Sequence, residues 1–160
     1  MEYTSNSPLQ TKKIASKILP KLKGKNIICL YGELGAGKTT FVQGLAKALG
    51  IKKRLTSPTF ILLKEYKVAS HQPPATRMGI NWKLETGNWK HLIHVDCYRL
   101  ASEKDLKSID LTEIWEDKQN LVIIEWAEKF SQILPRQRID IKFEHTGKNK
   151  RKITIDEVIH

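Results

Sequence analysis

Eight residues in the first quarter of the chain have the spacing of a phosphate-binding loop. They match the pattern G-x-x-x-x-G-K-[ST] and run Gly32-Glu33-Leu34-Gly35-Ala36-Gly37-Lys38-Thr39. Glycines let the backbone wrap closely round a polyphosphate, so that successive N–H groups point towards it. The Lys38 ammonium can reach the β- and γ-phosphates, and the Thr39 hydroxyl can bind Mg²⁺. The spacing therefore predicts binding of a nucleoside triphosphate together with Mg²⁺.

Two carboxylates follow apolar stretches that have strand character. The run Lys90–Asp96 ends in Asp96, which is the layout of a Walker B strand whose aspartate holds Mg²⁺ directly or through water. The apolar run Leu121–Ile124 leads into Glu125. Glu125 could position a water molecule, complete the metal shell or form a salt bridge at the strand end. His94 is not assigned to the metal, because a lone strand histidine is more often packed and hydrogen-bonded.

The turn Ser57-Pro58-Thr59 contains a further candidate. A threonine between the P-loop helix and the next strand is where a switch threonine meets Mg²⁺ and the γ-phosphate. An ordinary Ser-Pro turn explains the same residues, and this stretch alone favours the simpler interpretation. No arginine lies in the phosphate loop or in this turn. Arg99, soon after the strand that ends at residue 96, is the one nearby candidate for contact with the γ-phosphate.

The residues around the phosphate loop form the elements that must hold it. Asn26–Tyr31 is a short apolar run with strand character, and Phe41, Leu45 and Leu49 recur at helical spacing after the loop. Gly50 is placed to end that helix. A strand, a glycine-rich loop and a helix in this order are the context that a phosphate-binding loop requires.

Further elements alternate along the chain. Ser7 and Pro8 begin a first helix, Ile61–Tyr66 is a predicted strand, and Ser102–Leu106 begins a later helix. Apolar and polar residues alternate over 139–143 and 153–155. These patterns predict an α/β, P-loop NTPase-like three-layer sandwich with a mostly parallel central sheet and a C-terminal antiparallel hairpin. Residues 1–160 are predicted to form a single domain with an exposed, turn-rich insertion at about 68–88.

The composition indicates a globular cytoplasmic protein. Of the 160 residues, 40% are hydrophobic and 28% are charged, and no apolar stretch is long enough to span a bilayer. The start of the sequence lacks the features of a signal peptide, and Cys29 and Cys97 belong to no C-x-x-C pair. The net charge of +11 suits a polyanionic partner such as RNA or an acidic protein surface. A lysine-rich proteome explains the charge equally well.

Taken together, these motifs resemble the bacterial TsaE (YjeE) family, over most of the chain. The residues that carry the resemblance are Leu30–Phe41, Ser57–Phe60, His94–Leu100 and Ile124–Glu128. The resemblance implies a Mg-dependent ATPase that acts in formation of N6-threonylcarbamoyladenosine (t6A) at position 37 of tRNAs reading codons that start with A. The implied partners are the TsaD and TsaB proteins, with tRNA reached through their complex.

The resemblance also implies roles for individual residues. Lys38, Asp96 and Glu125 would be catalytic, and Thr39, Thr59, Asp96 and Glu125 would serve the Mg²⁺ site. The residues implied in ATP binding are Glu33, Leu34, Gly35, Ala36, Gly37, Lys38, Thr39, Thr40 and Trp126. Two features depart from the family pattern: the insertion at about 68–88 is longer than the usual connection, and Cys97 replaces a commonly apolar residue.

Two other functions are compatible with the same features. A small-molecule kinase would use the same phosphate loop, but it needs an acceptor pocket and usually a lid that carries arginine. Arg77 in the insertion could take that role, although no arginine cluster follows it. A nucleotide-gated RNA-binding module is suggested by the charge alone.

Overall fold

The strands and helices follow the predicted alternation closely. This computed structural model describes residues 1–22, 25–58, 62–69, 89–101, 105 and 111–159. Within these ranges the strands are β1 (Glu2–Ser5), β2 (Ile27–Tyr31), β3 (Leu63–Lys67), β4 (His91–Asp96), β5 (Asn120–Glu125), β6 (Gln137–Gly147) and β7 (Lys150–Ile159). The helices are α1 (Pro8–Ile18), α2 (Lys38–Ala48) and α3 (Leu111–Glu116), with 3-10 turns at Leu19–Leu22 and Ala127–Phe130. Most of the predicted helix start at 102–106, and the insertion beyond residue 69, lie outside the described residues.

The described strands form one mixed seven-stranded sheet in the order β1-β7-β6-β2-β5-β4-β3. The three central pairings, β6–β2, β2–β5 and β5–β4, are parallel. The three outer pairings, β1–β7, β7–β6 and β4–β3, are antiparallel. The prediction of a mostly parallel central sheet agrees with the three central pairings, and β6 and β7 pair antiparallel as expected for the C-terminal hairpin. The antiparallel pairing of the edge strands β1 and β3 was not predicted. The apolar pattern of a strand reports which faces are buried, and not the direction of its neighbour.

The two faces of the sheet carry separate hydrophobic cores because successive strand residues point to opposite sides. In β2, Ile28 and Leu30 pack with residues of α1 and α2. Ile27 and Cys29 pack on the other face with residues of α3 and of the turn Ala127–Phe130. The described part of the chain thus has helical elements on both sides of a sheet. No helix within it has both the length and the apolar character needed to cross a bilayer.

The first two helices are locked together at Gly44. A Cβ atom there would lie 2.7 Å from the Lys12 Cα and 2.8 Å from the Ala15 Cβ, so only glycine allows this close approach. Helix α1 begins at Pro8 as predicted, with the Ser7 side chain accepting a hydrogen bond from the Gln10 N–H at 3.2 Å. The close approach at Gly44 fixes α2, the helix that begins at the phosphate loop, against α1.

The parallel strands place the candidate residues at one edge of the sheet. The phosphate loop follows β2, Asp96 ends β4, and Glu125 ends β5. Asp96 and Glu125 are paired directly in the β4–β5 register, and Leu30 of β2 is paired with Glu125. Ligands of open α/β sheets bind beyond the carboxyl ends of such strands. This edge is therefore the expected place of a functional site.

Candidate active site

The phosphate loop is shaped by glycines at positions where a side chain is excluded. Gly32 follows β2 with φ of 133°, and a Cβ atom on it would lie 2.5 Å from the Phe143 carbonyl oxygen. Gly37, with φ of 105°, precedes the first residue of α2 in a left-handed conformation that favours glycine. The loop therefore turns tightly from β2 into α2, whose N-terminal N–H groups face the site.

The Lys38 side chain folds back over the loop. Its Nζ atom donates hydrogen bonds to the Gly32 and Glu33 carbonyl oxygens at 2.5 and 2.9 Å. The same atom lies 3.7 Å from the centroid of the Trp126 ring, within the range of a cation–π contact. Lys38 is only 4% exposed. Its ammonium is thus held by groups that phosphate oxygens can replace.

Burial lowers the pKa of Lys38, because an ammonium loses hydration inside the protein. Glu125, Glu128 and Asp96 act in the opposite direction, since their negative charges favour the protonated form. The site therefore contains a partly desolvated cation whose charge a polyphosphate would stabilise further.

Glu125 is a deeply buried carboxylate with hydrogen-bond partners on two elements. Its two oxygens accept hydrogen bonds from the Thr39 hydroxyl at 3.0 and 3.1 Å. Its Oε1 atom also lies 2.7 Å from His94 Nε2. The side chains of Glu125 and His94 are 3% and 0% exposed. A buried carboxylate is stable only with such partners, so these contacts fix its position.

Asp96 is held by the turn that contains Ser57. The Ser57 hydroxyl donates to Asp96 Oδ2 at 2.5 Å, and the Tyr98 N–H donates to Asp96 Oδ1 at 2.9 Å. The Asp96 N–H donates to the Leu62 carbonyl oxygen at 3.0 Å. The segment after α2 is therefore tied to the end of β4.

An aromatic wall closes one side of the site. Trp126 has φ of 62° and ψ of 39°, a left-handed conformation that is uncommon for a bulky residue. Its ring centroid lies 4.9 Å from that of Tyr98. Leu62, beside the Ser57 turn, is the other non-glycine residue with positive φ in the described ranges. Backbone conformations of this kind are concentrated at functional sites.

These groups line one pocket of about 310 Å³, a size that suits a small-molecule ligand. Its described lining residues are Leu34, Gly35, Ala36, Gly37, Lys38, Thr39, Thr40, Ser57, Asp96, Tyr98, Glu125 and Trp126. All the residues to which the family resemblance gives a role are among them except two. Glu33 contributes a carbonyl oxygen to Lys38 and does not line the pocket. Thr59 lies outside the described residues.

Ser57, Tyr98 and His94 were not assigned to the site from the sequence, although each lies in a motif that the sequence indicated. Arg151 was not singled out from the sequence, although its side chain lies beside Gly37 of the phosphate loop. A Cβ atom on Gly37 would lie 3.4 Å from the Arg151 Cδ atom. Its Nε atom is buried with no hydrogen-bond partner among the described residues, and it does not line the pocket. No local pattern in β7 gives a signal for this contact.

The donor atoms of the pocket fit a magnesium ion that is shared with a nucleotide. The Thr39 hydroxyl and the Asp96 and Glu125 carboxylates are oxygen donors, which Mg²⁺ prefers. Among the described residues no group of three or more His, Cys, Asp or Glu side chains is arranged to hold a metal ion. Mg²⁺ is usually bound by one or two carboxylates, waters and substrate phosphates, so this donor set is sufficient.

Comparison with known proteins identifies the family. The family model described as "Threonylcarbamoyl adenosine biosynthesis protein TsaE" matches residues 5–153. The chain belongs to the TsaE family. A TsaE relative from Bacillus subtilis, named "tRNA threonylcarbamoyladenosine biosynthesis protein TsaE", is 32% identical over 158 residues, which cover 99% of this chain and 86% of the relative. A relative of the same name from Aquifex aeolicus is 36% identical over 156 residues, covering 96% and 94% of the two chains.

A solved structure of a similar chain agrees with this TsaE-family assignment. The crystal structure of Bacillus subtilis YdiB superposes with a TM-score of 0.71 at 27% sequence identity. The match covers 100% of this chain and 86% of YdiB. The resemblance seen in the sequence motifs is thus confirmed at the level of the family, and the roles of individual residues stay predictions.

Proposed function

We propose that this chain is a Mg-dependent ATPase that acts with TsaB and TsaD in formation of t6A on tRNA. The names of the family and of its relatives support the pathway. The observation that carries the enzymatic part is the convergence of Lys38, Thr39, Asp96 and Glu125 in one pocket beside a phosphate loop. A glycine-rich loop alone would support nucleotide binding, whereas the two carboxylates supply groups for hydrolysis.

Binding of ATP would begin with an exchange of partners at Lys38. Its ammonium now contacts the Gly32 and Glu33 carbonyl oxygens. Phosphate oxygens carry more negative charge than carbonyl oxygens and make stronger, charge-assisted hydrogen bonds. The loop N–H groups and the N-terminus of α2 would bind the same phosphates. Trp126 and Tyr98 provide an apolar wall beside them.

Thr39 and Asp96 are the residues that we assign to Mg²⁺, with Thr59 as a further expected contact. When bound, Mg²⁺ would neutralise phosphate charge that develops during transfer. Asp96 is prepared for this role because Ser57 and the Tyr98 N–H already orient both of its oxygens.

Glu125 is the residue that we assign to the attacking water. It is 2% exposed, and its carboxylate is held by donors on two different elements, α2 and β4. A fixed carboxylate can accept a proton from water and direct its lone pair towards the γ-phosphorus. The leaving group is the diphosphate of ADP, and the products are ADP and inorganic phosphate.

Full activity is expected to depend on TsaB and TsaD. No arginine is among the described residues that line the pocket, and Arg99 is exposed outside it. An arginine supplied to the transition state contributes roughly 10³–10⁵ in rate. The isolated chain should therefore hydrolyse ATP slowly, and a partner would complete the site.

Comparison with the Lys38→Ala variant tests this proposal. Wild-type protein should bind Mg-ATP in calorimetry and release phosphate, whereas the variant should bind more weakly and release none while it stays folded by circular dichroism. Turnover of Lys38→Ala equal to wild type at saturating ATP would refute the site. Phosphate transfer to an acceptor in a panel of small hydroxyl compounds, in place of transfer to water, would favour the kinase function.

A further inference from the structure

We propose that His94 is a positioning residue that holds one oxygen of Glu125 so that the other oxygen faces the reaction. This inference rests on the proposed ATPase function and gives a role to a residue that the sequence motifs leave unassigned. It is carried by the buried contact between His94 and Glu125.

The contact links two neighbouring parallel strands beneath α2. His94 lies on β4, two residues before Asp96, and Glu125 ends β5. His94 is paired in register with Ile123, so Glu125 lies two residues further along on the same face. Ile123 belongs to the core that α1 and α2 cover. The imidazole is therefore enclosed by the sheet and by the helix that carries Thr39.

The hydrogen bond has a defined direction. An ionised carboxylate has no proton to donate, so the proton between His94 Nε2 and Glu125 Oε1 belongs to the imidazole. The His94 Nδ1 atom is buried and has no hydrogen-bond partner among the described residues. Nε2 is thus the ring nitrogen through which His94 contacts Glu125.

The two oxygens of Glu125 are not equivalent. Oε1 accepts from His94 at 2.7 Å and from Thr39 at 3.0 Å, whereas Thr39, at 3.1 Å, is the one donor to Oε2 among the residues that the structure describes. The single Thr39 hydroxyl proton is shared between the two oxygens, whereas His94 contacts Oε1. Oε2 is therefore the less occupied oxygen and the one more available to a water molecule. Without His94 the carboxylate could rotate, and either oxygen could face the site.

The expected effect is on turnover rather than on ATP binding. Partners that orient a reacting or ligating group typically contribute about 10–100-fold, and a misplacement of about 1 Å can cost a similar factor. His94 does not line the pocket, so the affinity for the nucleotide should change little. A residue that served only to fill the core would instead lower stability and leave kcat unchanged in the folded fraction.

Two substitutions at His94 separate positioning from packing. His94→Phe keeps a ring in the core and removes the donor, so kcat should fall about 10–100-fold with KM for Mg-ATP within about threefold. His94→Gln retains an N–H donor near the position of Nε2, so it should recover a large part of the lost turnover. Thermal unfolding of both variants shows which fraction is folded under the assay conditions.

His91→Phe is the matched control because it changes the same residue type on the same strand. His91 lies at the other end of β4, where its Nδ1 atom is 2.5 Å from Glu65 Oε1. Its substitution should leave kcat and KM unchanged. A His94→Phe variant with kcat within about threefold of wild type, or a His94→Gln variant no better than it, would overturn the proposal.

A measurement that needs no turnover tests the contact itself. The ¹⁵N shifts of the imidazole in wild-type protein, assigned by comparison with His94→Phe, should show a proton on Nε2 with and without a non-hydrolysable Mg-ATP analogue. An Nε2 atom without a proton would overturn the positioning role. Wild-type protein that lacks turnover but shows the Nε2 proton would locate the failure in the proposed ATPase, and the positioning role would fall with it.

Discussion

Glu125→Gln removes one negative charge from the candidate active site and keeps the shape of the side chain. The amide oxygen can still accept from His94 Nε2, and the amide nitrogen can donate to the Thr39 hydroxyl, so each present contact has a replacement. The substitution therefore tests the charge and basicity of the carboxylate and leaves the packing almost unchanged.

The effect on stability should be small. A hydrogen bond to a charged group contributes about 1.5–3 kcal/mol, against about 0.5–1.5 kcal/mol for a neutral one, so two bonds lose about 2–3 kcal/mol together. The cost of burying a carboxylate disappears at the same time and offsets part of this loss. The free energy of unfolding should therefore change by less than about 2 kcal/mol.

The effect on hydrolysis should be larger. A general base contributes about 10²–10⁴ in rate, which corresponds to about 2.7–5.4 kcal/mol of transition-state stabilisation. Phosphate release at saturating Mg-ATP, with the partner complex present, measures this loss, and calorimetry measures the affinity for the nucleotide. Glu144→Gln, at an exposed position of β6, is the matched control and should change neither quantity. A parallel fall of affinity and turnover in Glu125→Gln would contradict the assigned role.

Three further predictions concern the metal, the lysine and the helix contact. Asp96→Asn should raise the Mg²⁺ concentration for half-maximal turnover by about tenfold, because an amide is a poorer ligand for a hard cation. A Mg²⁺ titration at fixed ATP measures this concentration, and an unchanged value would exclude Asp96 as a ligand. Burial lowers the pKa of Lys38 below its ordinary 10.5, and bound phosphates would raise this pKa again. At a pH near the lowered pKa, ATP binding should therefore be accompanied by proton uptake, which calorimetry in buffers of different ionisation heat measures. No uptake is expected if Lys38 makes no phosphate contact. Gly44→Ala should destabilise the protein, because overpacking against α1 costs about 1–3 kcal/mol whereas alanine gains roughly 1 kcal/mol in helix propensity. Urea unfolding measures the change in the free energy of unfolding, and a more stable variant would show that α1 and α2 separate easily.

Local patterns were sufficient to predict the elements that form the site. The helix start at Ser7 and Pro8, strand β2, and the strands that end at Asp96 and Glu125 all lie where apolar periodicity and capping residues indicate. These signals involve residues within one or two turns of each other, so the sequence contains them directly. The edge strand β1 was not predicted, because four residues without alternation give no signal.

The missing information concerns contacts between distant residues. Ser57 and Asp96 are separated by 39 positions, and His94 and Glu125 by 31. Arg151 reaches the phosphate loop only because β7 is placed beside β6, and β6 beside β2. Strand order and direction decide these contacts, and a hydrophobic pattern is compatible with several orders. The sequence alone therefore identified the candidate reacting groups better than the residues that contact them.

The most direct test of the proposed partner-dependent ATPase is steady-state phosphate release at fixed Mg-ATP while a TsaB–TsaD complex is titrated into the purified chain. We expect slow hydrolysis by the chain alone and an increase of at least about tenfold that saturates with the complex, since a partner must supply what the pocket lacks. The Glu125→Gln variant should show no such increase. A chain that hydrolyses ATP rapidly alone and does not respond to the complex would contradict the proposed function.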